Sequence, residues 1–185
     1  MNVDHLILLA IKHAGGNIKG KTLLQKRIYF LSKLLNLDLG YRAHYYGPFS
    51  PEVDNGLGKL KALGFVAERS SGFGLYNKMG FELRRYDYYL TEDGQTVTES
   101  LKDCSPDKYK TINNILDQMR ESGDTGDYLE LSIAAKTYHI LSARKTIMRP
   151  SDIRSAAKEL GWDISEDFIN MAAEFLEKSG LVQKQ

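Results

Sequence analysis

The sequence predicts a mainly α chain with a small β-hairpin, an α+β class in which a winged helix is followed by a C-terminal helical bundle. Three observations predict it. A helical pattern ends in Leu60-Lys61-Ala62-Leu63-Gly64, and a strand opens at Phe65-Val66-Ala67. Ser70-Ser71-Gly72-Phe73-Gly74 then supplies the flexible backbone of a hairpin tip. A second strand closes in Tyr89-Leu90, where Thr91-Glu92-Asp93-Gly94 starts a new helix. Gly64 can take the left-handed conformation that stops a helix. Thr91 can cap the next one, and Glu92 and Asp93 suit its dipole.

The elements follow in order. Val3 to Ala14 reads as a helix with Leu6, Leu9 and Ala10 on its apolar face, ended by Gly15 and Gly16. Ile18 makes a short strand. From Lys21 to Asn36, Leu24, Ile28, Leu31 and Leu35 recur at i, i+4, i+7 and i+11, one buried stripe, while Lys26, Arg27 and Lys33 are expected on polar positions facing solvent or phosphate. Ser50-Pro51-Glu52 announces a third helix, with Ser50 as its cap and Pro51 at its first position. Gly56 and Gly58 weaken that helix and imply close approach of another backbone or support from packing. After Thr91 the pattern is helical throughout, near 92–103, 107–121, 127–143, 150–160 and 165–179, with breaks at Pro106, Gly123, Gly126, Pro150 and Gly161. Ser151 to Val182 repeats the outline of the first unit, a cadence shared by a second, abbreviated helix-turn-helix and by helical hairpins of any purpose. The expected division is a winged-helix domain at 1–103 and a helical domain at 104–185.

Composition narrows the chemistry. A chain of 185 residues, 42% hydrophobic and 26% charged, is a globular composition. The apolar run Leu6–Ile11 is too short for a bilayer and lacks a basic leader, so no membrane association and a cytoplasmic location are expected. Cys104 is the single cysteine, which excludes an intrachain disulfide and a thiolate zinc cluster. The four histidines are scattered, and no metal, cofactor or catalytic constellation is expected. Charge is divided unevenly. Residues 1–90 hold 13 Lys and Arg against 7 Asp and Glu, and the remainder 12 against 17, so a basic half precedes an acidic one.

Gly15-Gly16-Asn17-Ile18-Lys19-Gly20-Lys21-Thr22 matches the phosphate-loop pattern GxxxxGKT. Such a loop needs a buried parallel strand before it and a sheet around it. The chain offers no run of alternating strands and helices, so the segment reads as a connector with Lys21 on the surface.

Seven of the 11 tyrosines fall between residues 41 and 89, interleaved with Arg42, Arg69, Lys78, Arg84 and Arg85. Tyr86, Tyr88 and Leu90 alternate with Asp87 and Tyr89 as in a half-buried strand. The span Tyr45-Tyr46-Gly47-Pro48-Phe49-Ser50-Pro51, preceded by Leu24-Gln25-Lys26-Arg27-Ile28-Tyr29-Phe30, resembles the Panacea-type antitoxin and protease-adaptor domains and related prokaryotic winged-helix proteins. There a Leu-x-Lys-x-x-Tyr-Phe helix, matched by Leu24, Lys26, Tyr29 and Phe30, precedes a Tyr-Gly-Pro turn, matched by Tyr46, Gly47 and Pro48. The resemblance covers about residues 15 to 94 and implies a non-catalytic interaction domain, in some members neutralising a toxin or delivering it to a protease.

The first functional expectation is a non-enzymatic regulator that binds double-stranded DNA as a homodimer. Asn55, Lys59 and Lys61 would approach the groove, and Lys21, Lys26, Arg69, Lys78, Arg84 and Arg85 would contact phosphates. Two features oppose it: the long stretch Leu37–Ser50 before the third helix, and Glu52 and Asp54 at that helix's start. The alternative is a protein-binding antitoxin or adaptor module. A phosphate-loop nucleotide binder comes third.

Overall fold

The first helix is buried on nearly every side. Leu6 through Ile11 are all at most 2% exposed, so α1 (Val3–His13) is a central rod rather than an amphipathic surface helix. Asn2 caps it by accepting from the His5 amide. The computed structural model describes residues 2–76 and 82–183. After α1 come β1 (Asn17–Lys19), α2 (Lys21–Leu34), α3 (Pro51–Ala62), β2 (Val66–Tyr76), β3 (Glu82–Leu90), α4 (Glu92–Cys104), α5 (Pro106–Ser122), α6 (Tyr128–Arg144), α7 (Pro150–Glu159) and α8 (Glu166–Lys178). The chain is α+β, mostly helical with one three-stranded antiparallel sheet in the order β1-β3-β2. Ile18 lies opposite Tyr88, and Val66 opposite Leu90. Among the described residues no helix is long and apolar enough to cross a membrane.

Local chemistry accounts for the junctions. Ser50 accepts from the Val53 amide and Pro51 opens α3. The Thr91 hydroxyl donates to the Gly64 carbonyl at 2.7 Å and accepts from the Gly94 amide at 3.0 Å, which ties the end of α3 to the start of α4. A Cβ at Gly94 would lie 2.1 Å from the Phe65 carbonyl oxygen, so only glycine lets the two segments approach this closely. The pair Gly56 and Gly58 also resolves. A Cβ at Gly56 would meet Val3, Asp4 and Ile7 at 3.0–3.1 Å, where α3 crosses α1, whereas Gly58 faces open space.

The helical half wraps the first. His13 meets Asp117 of α5 at 3.0 Å, and Arg27 of α2 holds Asp124 through two bonds of 2.7 and 3.1 Å. Phe30 of α2 and Phe175 of α8 meet edge to face, 5.2 Å between centroids. One apolar core runs from Leu6 to Leu176 across both sides of residue 103. This wrapping overturns one expectation about α2. Its residues 23–26 and 28–32 are all buried, because α6 and the segment 35–50 cover the side where a solvent face was expected.

On β3 the expected alternation is likewise broken. Asp87 is 5% exposed and Tyr86 is 45% exposed, because Arg85 folds back along its own strand and holds the Asp87 carboxylate at 2.7 and 3.0 Å.

Candidate functional site

Residues 35–50 form a folded-back loop whose tip carries two aromatic rings. Arg42 and Phe49 exchange backbone hydrogen bonds of 3.0 and 2.9 Å, and the Gly47 amide donates to the His44 carbonyl at 2.9 Å, closing the turn. Gly47 adopts φ +94°, a conformation that favours glycine. A Cβ there would also press on Lys136 Cγ at 3.1 Å and Lys26 Cε at 3.3 Å.

The turn is fastened from below by three side chains. Lys26 of α2 donates from Nζ to the Pro48 carbonyl at 2.7 Å. Trp162, between α7 and α8, donates from Nε1 to the His44 carbonyl at 2.7 Å. Gln25 of α2 binds Ser50 in both directions, its Nε2 donating to the Ser50 carbonyl at 3.0 Å and its Oε1 accepting from the Ser50 amide at 3.1 Å. The Tyr41 hydroxyl donates to the Gln25 carbonyl at 2.9 Å. On this base Tyr45 and Tyr46 project outward, 73% and 57% exposed, with rings 4.8 Å apart and nearly perpendicular. The result is an aromatic knuckle on a fastened backbone.

Its foundation is electrostatically unusual. Lys26 is 2% exposed, and burial pushes its amine down to about 7, with the neighbouring Lys136 adding repulsion. Burial also lowers Lys136, whose ammonium lies over the Trp162 ring at 5.6 Å. Tyr41 is raised well above its ordinary value, chiefly by burial. His139, 5.8 Å from the Trp162 ring, is lowered by burial and then by Lys33. Lys26 and Tyr41 bond to backbone carbonyls, and Lys136 and His139 pack against Trp162. Among the described residues no cluster of three or more His, Cys, Asp and Glu side chains could hold a metal ion.

The residues expected to contact DNA are placed as follows. Lys26 is inside, bonded to Pro48, and cannot reach a phosphate: this corrects its expected surface position. Lys21 pairs with Asp54 at 2.7 Å, Lys59 with Asp4 at 2.6 Å, Lys61 with Glu68 at 2.8 Å, and Arg85 with Asp87. Arg69 lies over the Tyr89 ring at 4.9 Å. Arg84 donates to Ser70 Oγ at 3.3 Å. Asn55 is exposed on α3, and Lys78 lies outside the described residues. The hairpin thus gathers Arg69, Arg84 and Arg85, while the lysines of α3 and Lys21 are each matched by an acid. In the GxxxxGKT segment, helix α1 precedes the glycines and β1 joins an antiparallel sheet.

Trp162 and Lys136 were not legible as parts of this site. Trp162 meets His44 across 118 positions of sequence. Its being the only tryptophan was the one available signal.

No protein-family model matches the chain. The chain is 30% identical over 113 residues to the uncharacterized protein YwgA of Bacillus subtilis (strain 168), a match that covers 60% of this chain and 64% of that protein.

Proposed function

We propose that the chain is a non-enzymatic, cytoplasmic winged-helix module that binds a protein partner through the Tyr45–Tyr46 knuckle, as an antitoxin or protease-adaptor domain would. The observation that carries this reading is the knuckle's preorganisation. Two large rings stand in water on a turn fixed by Lys26, Trp162 and Gln25. Tyrosines with two side-chain torsions on a fixed backbone lose little freedom when a partner covers them, and interface energy concentrates in such anchors. The helix and strand order α1-β1-α2-α3-β2-β3, with β3 between β1 and β2, supports the winged-helix assignment. Residues 35–50 then take the place of the short turn of an ordinary helix-turn-helix and carry the contact.

A photo-reactive phenylalanine analogue at position 46, irradiated in cells of the native host, tests the reading. A discrete protein adduct is expected there and not at the exposed Asn55 of α3. Adducts at position 55 alone would overturn it.

The second reading is duplex-DNA binding by a homodimer, favoured by Arg69, Arg84 and Arg85 on one hairpin. Against it stand the acid partners of Lys21, Lys59 and Lys61 and the loss of Lys26 to the interior. Exposed ion pairs of this kind are worth about 0–1 kcal/mol each, so phosphates would displace the acids at small cost. Glu52 and Asp54 nevertheless remain at the start of α3, where they oppose a phosphate backbone.

A further inference from the structure

A second surface lies on the acidic half and shares no lining residue with the knuckle. Along α8, Phe168, Met171, Ala172 and Phe175 follow the i, i+3, i+4, i+7 spacing, and with α6 they form an open groove of about 170 Å³. Its floor is apolar: Ala172 and Phe175 are buried, as are Leu131 and Ala134 opposite. Its lip is apolar too, since Phe168 is 42% and Met171 55% exposed. The charged part of the lining is mostly acidic. Asp127 and Glu130 come from the start of α6 and Glu174 from α8, against the single cation Lys178 among the described lining residues. Asp124 also lines the groove, but Arg27 holds its carboxylate.

The geometry points to a docking groove for a basic amphipathic helix of a partner protein. An apolar floor and lip flanked by the carboxylates of Asp127, Glu130 and Glu174 call for an apolar stripe flanked by cations, which is how a helix seats in a groove with both shape and charge satisfied. From Phe168 to Lys178 the wall is about 15 Å long at 1.5 Å per residue, room for about three turns of ligand helix. Met171 at the lip is unbranched and adapts its shape to the side chain it meets. This groove is independent of the Tyr45–Tyr46 knuckle.

The test uses a fluorescein-labelled 15-residue peptide with Leu at i, i+3, i+4 and i+7 and Lys elsewhere, and a twin carrying Glu in place of Lys. Fluorescence anisotropy with the full chain is expected to show micromolar, salt-sensitive binding of the Lys peptide and binding of the Glu twin weaker by about tenfold or more. Met171→Lys and Glu174→Lys, both exposed, should each weaken the Lys peptide by about tenfold. Tyr45→Ala/Tyr46→Ala should leave it unchanged, so failure here and failure of the knuckle reading are separate results. Equal binding of the two peptides, no binding of either, or indifference to both groove variants would overturn the proposal. So would a dimer in sedimentation that Met171→Lys dissolves, because a second copy would then occupy the groove.

Discussion

Replacing Lys26 by methionine should remove a pH dependence of stability that the buried amine imposes. In the unfolded chain the amine keeps its proton up to its ordinary value of 10.5, whereas in the fold it loses it at about 7. Between these values the unfolded state binds more protons, so stability rises with pH through that window and is flat below it. The full span is worth about 5 kcal/mol, and the part falling between pH 7 and pH 9 is about 2 kcal/mol. Lys136, also lowered, acts in the same direction. Lys12 and the tyrosines, raised above their ordinary values, act only near pH 10 and beyond. Urea unfolding followed by the emission of Trp162, buried and the only tryptophan, measures the effect at pH 7, 8 and 9. The wild type should gain about 2 kcal/mol across that range and Lys26→Met well under half as much. At pH 7 the variant should be the more stable protein, because the cost of leaving the Pro48 carbonyl without its donor, about 1–3 kcal/mol, is less than the burial cost removed. A flat wild-type profile, or an unchanged slope in the variant, would refute the placement of Lys26.

Gly94→Ala should cost about 3 kcal/mol, because its methyl would sit 2.1 Å from a backbone oxygen that cannot swing aside, and thermal unfolding would show it against Gly58→Ala, which meets nothing and should gain about 0.5–1 kcal/mol. Trp162→Phe keeps most of the packing and deletes the bond to the His44 carbonyl, so amide exchange of residues 43–47 should accelerate while α1 stays protected. Equal protection of the turn in both proteins would show that Trp162 does not hold it.

The element boundaries were legible because they rest on neighbours in sequence. Ser50-Pro51, Thr91 and the Gly64 stop act within a few residues, and Pro106, Gly123, Gly126, Pro150 and Gly161 each stand within two residues of a helix end. Helix periodicity failed at Lys26 for a long-range reason. A stripe of leucines marks one buried face, but the segment 35–50 and α6, the latter about 110 positions later, cover the opposite one. The same distance separates the two halves of the candidate site. Gly47 and Pro48 announced a turn by themselves, but the lysine stems beneath Gly47 and the indole beneath His44 come from elements that only tertiary packing brings there. The basic residues were visible and their neutralisation was not. Asp4 and Asp54 meet Lys59 and Lys21 across helix pairs that no local pattern joins.

The claim that the knuckle is the working surface is tested most directly by quantitative capture from the native host, with nuclease-treated lysate and three baits. These are the wild type, Tyr45→Ala/Tyr46→Ala and Arg69→Glu/Arg84→Glu. One protein partner should bind the wild type and the arginine variant equally and should be reduced about 30-fold on the tyrosine variant, corresponding to about 2 kcal/mol for an aromatic anchor. Unchanged capture by the tyrosine variant, or a loss of all binding on nuclease treatment, would contradict it.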